Sequence, residues 1–207
     1  MLDALQAKGL GETIVLFTSD NGDFAGAHHL MVKTGSLVDS MVRMPLAISW
    51  PGVVPAGRRE SALVNQVDIA PTLLDLCGLP PLGAARPWLL PFQAESPRRR
   101  SVYSEYGSGE AAYDWAEAKA VGPAARLGDY ALKTPTELAH LERRERAGHL
   151  RMVRTGAHKI ITDSNGEVEF YDLKRDPWEL SNVHGQLEYS EAEEELTKLL
   201  PRAATAN

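Results

Sequence analysis

Asp20 and Asn21 stand side by side at the end of the run Thr13-Ile14-Val15-Leu16-Phe17-Thr18-Ser19, and Lys33 follows thirteen positions after Asp20. A carboxylate and a side-chain amide are hard oxygen donors, suited to Ca²⁺ or Mg²⁺ rather than to a soft metal. A lysine close by suits an anion held against such a cation. The chemistry on offer is therefore the binding of a hard cation together with an oxyanion.

The elements around these residues determine whether they meet. The apolar stretch over residues 13–19 reads as a strand buried on both faces. In open α/β sheets ligands bind beyond the carboxyl ends of such strands, which is where Asp20 and Asn21 fall. Residues 2–8 read as a short amphipathic helix closed by Gly9, and residues 20–35 as loop. Ser36 to Val42 has room for one or two helical turns. Pro45 to Trp50 reads as a second buried strand, halted by Pro51-Gly52. Asp68 can cap a helix over residues 69–77, with Pro71 in its first turn and Gly78 at its end. Leu73, Leu74 and Cys77 would form its apolar face, with Cys77 as core filler.

Residues 78–100 form a proline- and glycine-rich connection ending in Arg98-Arg99-Arg100, read as solvated loop with anion contact as the alternative. Ser101 to Tyr106 reads as a strand. Residues 107–133 show no assignable pattern. Thr134-Pro135-Thr136-Glu137 opens a helix that runs to Ala147 and stops at Gly148. Leu150 to Arg154, Lys159 to Thr162 and Val168 to Tyr171 read as short strands, the last two joined through an Asn165-Gly166 turn. Arg151 and Lys159 are expected on the surface of that sheet. Ser190-Glu191-Ala192-Glu193 reads as a capping box opening a final helix with Leu196, Leu199 and Leu200 on one face.

Composition narrows the class. The chain has 207 residues, 43% hydrophobic and 24% charged, ordinary for a globular protein. A net charge of −6 argues against a non-specific nucleic-acid binder. Cys77 is the single cysteine, which excludes an intrachain disulfide. No apolar run approaches the length of a membrane span. The N-terminus lacks the basic-then-apolar pattern of a signal peptide. A chain opening within a helix just before a buried strand reads as a piece of something longer.

Four blocks in order resemble the sulfatase family of the alkaline-phosphatase superfamily. The first is Thr13 to Lys33, similar to a strand, Thr-Ser-Asp-(Asn or His)-Gly, a Gly-(Asp/Glu)-His loop and a lysine. The second is Arg43-Met44-Pro45-Leu46-Ala47-Ile48-Ser49-Trp50-Pro51-Gly52. The third is Val67-Asp68-Ile69-Ala70-Pro71-Thr72-Leu73-Leu74-Asp75-Leu76. The fourth joins Arg151-Met152-Val153-Arg154-Thr155-Gly156 and Lys159 to Tyr171-Asp172-Leu173-Lys174-Arg175-Asp176-Pro177 and Glu179.

The resemblance implies sulfate-ester hydrolysis, in which a formylglycine made in a Cys/Ser-x-Pro-x-Arg motif attacks sulfur beside a Ca²⁺ ion. It implies Asp20 and Asn21 as metal ligands, and Lys33 as a catalytic and substrate-binding residue at the sulfate and the leaving oxygen. His28 matches the loop histidine, with Ala27 in place of the acid. It reads as a catalytic general acid or as a loop-structuring residue. The nucleophile motif is absent: Cys77 is followed by Gly78-Leu79-Pro80-Pro81, and no serine begins such a motif. The family's first metal aspartates are missing too, so formylglycine is expected only in a missing N-terminal part.

The expected fold is α/β: a partial alkaline-phosphatase-like mixed or parallel sheet with flanking helices, then a small C-terminal antiparallel sheet with a helix. Residues 1–100 would belong to the catalytic domain and 101–207 to the C-terminal subdomain, with a variable insertion around 107–148. The expected partner is a sulfated small molecule or glycan, with no nucleic acid and no membrane, and with a complementing N-terminal half or an oligomer as a further partner. A phosphoester or phosphonate hydrolase is the alternative reading, and a non-catalytic anion- or partner-binding module is a third. The family resemblance points to a periplasmic or secreted location. The specificity-bearing loops would lie in residues 78–133.

Overall fold

The computed structural model describes residues 2–31, 33, 35–81, 99–107 and 148–201. The helix expected over 134–147 and most of the connection over 78–133 lie outside the described residues.

In chain order the elements are α1 (Leu2–Ala7), β1 (Val15–Thr18), α2 (Asp39–Val42), β2 (Leu46–Ser49), α3 (Ile69–Leu76), β3 (Val102–Tyr106), β4 (Leu150–Arg154), β5 (His158–Thr162), β6 (Val168–Asp172) and α4 (Ser190–Leu199). Helices thus stand beside two antiparallel-paired sheets, an α/β chain. It forms two compact units. One comprises Met1–Asp20 and Met44–Val102, the other Asn21–Arg43 and Tyr103–Asn207.

In the first unit β1 and β2 pair antiparallel, with Phe17 opposite Ala47 and Thr18 opposite Leu46. The expectation that β1 is buried on both faces is corrected: Phe17 is 64% exposed. With β2 as its one partner strand among the described residues, the face that Phe17 presents is largely open. α3 follows a 3-10 turn over Gln66–Asp68, and its buried residues are Pro71 and Thr72. Cys77 is exposed, not core. It caps the C-terminal end of α3, one residue past the last helical turn, beyond the buried face.

The second unit is organised by a four-stranded sheet in the order β3-β4-β5-β6. β4, β5 and β6 pair antiparallel, with Val153 opposite Ile160 and Ile160 opposite Phe170. Gly166, at φ 86°, closes the β5–β6 turn, and Asp163 accepts the Asn165 and Glu167 N–H groups there. Alternate side chains point to opposite faces, so the sheet carries two cores. On one face Leu150, Met152, Ile161 and Tyr171 pack against Phe24, Leu30, Leu37, Val38 and Met41. On the other Val153, Ile160 and Phe170 pack against Tyr189 and Leu196. The sheet is sandwiched between the 24–41 segment and α4.

The capping box expected at Ser190 does not form. The Ser190 hydroxyl donates to the Leu187 carbonyl, and the Glu193 carboxylate instead binds His184 Nδ1 and accepts the Gly185 N–H. The α4 apolar face is Ala192, Leu196 and Leu200, while Leu199 points outward.

Candidate functional site

Asp20 ends the opening segment of the first unit, exposed just past β1. Its position is set through the backbone. The Gln66 side-chain amide donates to the Ser19 carbonyl at 2.6 Å and to the Asp20 carbonyl at 3.2 Å. Gln66 sits in the 3-10 turn, which is itself braced. Asp68 accepts the Asn65 N–H at 2.7 Å while the Asn65 side chain accepts the Asp68 N–H, a reciprocal capping box. Arg99 then donates twice to the Asp68 carboxylate, at 2.7 and 2.8 Å.

Two expectations are corrected by this arrangement. Asp68 makes no side-chain cap to α3, because its carboxylate closes the preceding turn and pairs with Arg99. Arg99 is not a solvated loop residue: a carboxylate as buried as that of Asp68 needs a fixed cation, and bidentate arginine supplies it. Arg98 lies outside the described residues. Sequence reasoning missed Gln66; the Asn65-x-x-Asp68 spacing was the signal that the turn before it is rigid.

Asn21, His28 and Lys33 belong to the second unit. The half-buried Asn21, its amide oxygen enclosed, is followed by Gly22, whose N–H donates to the Met41 carbonyl at 2.9 Å. A Cβ on Gly22 would lie 1.9 Å from the Ser40 carbonyl oxygen, so only glycine lets the chain pass α2 so closely. Asp23 accepts the Ala25 N–H, and Phe24 and Leu30 anchor the loop in the core. Between those anchors Ala25, His28 and His29 adopt left-handed φ of 45°, 51° and 59°. Each such residue costs of order 1 kcal/mol or more and persists only where its surroundings impose it. The His28 ring meets Phe24 edge-on at 5.8 Å. Lys33 is exposed, and its ammonium pairs with no carboxylate among the described residues.

The segment after Lys33 is fixed by a buried charge cluster. Lys159 is 0% exposed, which corrects its expected place on the sheet surface. It shares a face of β5 with buried Ile161, and that parity was the sequence signal. Its ammonium donates to the Leu37 carbonyl at 3.2 Å and to Asp39 at 2.5 Å, and pairs with Glu179 at 2.5 Å. Glu179, itself at φ 57°, also accepts the Asp39 N–H at 2.6 Å. Arg154 Nε lies 3.3 Å from the same Asp39 Oδ1, and its Nη2 donates to Asp39 Oδ2 at 3.4 Å. Burial opposes ionisation of Asp39, but Lys159, Arg154 and Arg43 outweigh it and hold the carboxyl below its usual range. Burial wins at Glu179 and pushes its carboxyl up, although Lys159 pulls the other way. The two directions are compatible: Asp39 has three cations around it, while Glu179 shares one lysine. Arg151 stays at the sheet edge, donating to the Pro201 carbonyl.

The donor chemistry of Asp20 and Asn21 fits a hard cation, but two oxygen-bearing side chains fall short of the roughly six to eight ligands Ca²⁺ takes. Among the described residues no group of three or more His, Cys, Asp or Glu side chains converges on a metal position. An open depression of about 1080 Å³ lies on the first unit, lined by β2 and the loop after it, and none of the four candidate residues lines it.

Comparison with known proteins places this chain in a family. The Sulfatase family model matches residues 1–79, which include Asp20, Asn21, His28 and Lys33. N-acetylglucosamine-6-O-sulfatase of Bacteroides thetaiotaomicron is 32% identical over 203 residues, 97% of this chain and 32% of that protein. Arylsulfatase K of Rattus norvegicus is 29% identical over 84% of this chain and 27% of that protein. A solved structure in complex with its substrate D-glucosamine-2-N,6-O-disulfate superposes with a TM-score of 0.70 at 28% identity, over 96% of this chain and 35% of that one. The chain belongs to the sulfatase family, whose members are sulfate-ester hydrolases of alkaline-phosphatase-like fold that work with a divalent cation. It spans about a third of the length of these relatives.

Proposed function

We propose that this chain supplies part of the cation and sulfate site of a sulfuric ester hydrolase, acting on a sulfated small molecule or glycan. The observation that carries this reading is the family match over residues 1–79, which holds all four candidate residues. A bound Ca²⁺ supplies positive charge against the sulfate oxygens. By the family match Asp20 and Asn21 would each offer it one oxygen donor. Lys33, exposed and without a competing carboxylate among the described residues, holds the sulfate and favours charge on the leaving oxygen. His28 holds a proton for the leaving group or fixes the loop. Cys77 does not fit the nucleophile, since it lacks the Pro and Arg of the motif and caps α3, so no step is assigned through it.

The test compares aryl sulfate, aryl phosphate and aryl phosphonate hydrolysis by the full-length parent, in which the formylglycine motif that this chain lacks is expected, and by its variants. Lys33→Ala is expected to lower sulfate-ester turnover by about 10²–10³. His28→Gln shifts the acid or alkaline limb of the pH–rate profile if His28 transfers a proton, and leaves the profile's shape intact if it structures the loop. Faster turnover of the phosphate or phosphonate ester, or full sulfate-ester activity in Lys33→Ala, overturns the assignment. A solved phosphonate monoester hydrolase from Agrobacterium radiobacter superposes at a TM-score of 0.69 and 27% identity, which makes that comparison necessary.

A further inference from the structure

We propose that Lys159 is a positioning residue for the site: its buried ammonium fixes α2, and through α2 the loop that carries Asn21, His28 and Lys33. The proposal rests on the reading of that loop as the sulfate-binding segment.

A lysine ammonium has three N–H donors and no acceptor. Here it meets three acceptors: the Leu37 carbonyl, Asp39 and Glu179. Two of these belong to the segment entering α2, and the third comes from beyond β6. Glu179 closes the cluster by accepting the Asp39 N–H, so both backbone and side chain of the first α2 residue are tied to it. From there the path to the site is one short helix. The Met41 carbonyl of α2 accepts the Gly22 N–H, and Gly22 is bonded to Asn21. Close approach leaves Gly22 no lateral freedom against Ser40. On the other side, Lys33 is four residues from Leu37.

Stability alone explains this cluster poorly. A buried ion cluster is often no better than apolar side chains of the same volume, because desolvation offsets the attraction. The same face already holds Leu37, Val38, Met41, Met152 and Ile161, so an apolar solution was at hand. Directional bonds at fixed points add what apolar packing lacks, a single register of α2 on the sheet.

Backbone amide exchange on the 207-residue chain tests this, with Lys159→Met, Asp39→Asn and, as control, Leu196→Ala on the opposite sheet face. Lys159→Met and Asp39→Asn are expected to speed exchange at least tenfold in peptides covering residues 21–31 and 35–43, while β6 and α4 peptides keep their protection. Leu196→Ala is expected to speed α4 and leave 21–43 protected. Unchanged protection of 21–43 in Asp39→Asn overturns the proposal. If Lys159→Met loses protection everywhere, the Asp39→Asn result decides in the same two ways. Titration with inorganic sulfate separates this inference from the functional reading. Wild-type binding that falls about tenfold in Asp39→Asn but not in Leu196→Ala supports positioning. No sulfate binding by the wild-type chain counts against the functional reading, and the exchange result still decides the role of Lys159.

Discussion

Gly22 passes α2 at a distance that leaves no room for a methyl group, since any Cβ there would meet the Ser40 carbonyl at 1.9 Å. Gly22→Ala is expected to cost about 1–3 kcal/mol, read as a lower urea midpoint at unchanged slope. Asp39 and Glu179 contribute to pH dependence with opposite signs. The Asp39 carboxyl lies below its ordinary value in the folded chain, so it adds stability above that value and loses it as pH falls. The Glu179 carboxyl is raised by burial, so its protonation on mild acidification favours the folded state. The melting temperature is therefore expected to hold or rise slightly on mild acidification and to drop below about pH 4, with a shallower drop in Asp39→Asn. A monotonic fall beginning near neutrality would count against this. At this scale sequence singles out oxygen donors at a strand end and a following lysine, a pattern that ordinary turns share, and the structure leaves Asp20 and Lys33 exposed and Asn21 half-buried. Lys159 was not legible, because a lysine in a strand announces a surface unless the parity of its neighbours is followed.

The 3-10 turn before α3 is the element on which the strand end leans. Arg99→Ala would leave the Asp68 carboxylate buried without its cation, at a cost of about 3 kcal/mol. Exchange at β1 and at the 65–68 turn is expected to quicken together in that variant, because Gln66 ties the turn to the Ser19 and Asp20 carbonyls. Quickening confined to the turn would show that the tie carries no strain to the strand. Across the C-terminal sheet, Leu196→Ala should cost about 2–5 kcal/mol, measured by denaturant unfolding, since Leu196 is buried between α4 and the second core. Strands were readable from short β-branched runs between turn residues, and the Asn165-Gly166 turn fell where the spacing put it. Helix starts were less readable. The Ser190 and Glu193 spacing suits a capping box, yet His184 and Gly185 compete for the Glu193 carboxylate, and a local pattern carries no sign of such partners.

For the molecule as a whole, Phe17 and Leu46 are exposed on the β1–β2 pair. The isolated chain is expected to self-associate, with light scattering that rises with concentration and falls in Phe17→Lys. A monodisperse monomer that melts in one cooperative step would overturn that expectation. The grouping of residues 21–43 with the C-terminal sheet was beyond the reach of sequence reading, since nothing local in that segment names partners so far along the chain. That separation also has a meaning in time. The Asp39 N–H and the Glu179 carboxylate that receives it are 140 residues apart. At ribosomal speeds of about 5–20 residues per second, residues 21–43 leave the ribosome roughly 7–28 s before their last anchor exists. The loop bearing Asn21, His28 and Lys33 is thus made well before the residue that seats it, and a nascent chain that stalls before Glu179 carries it unseated.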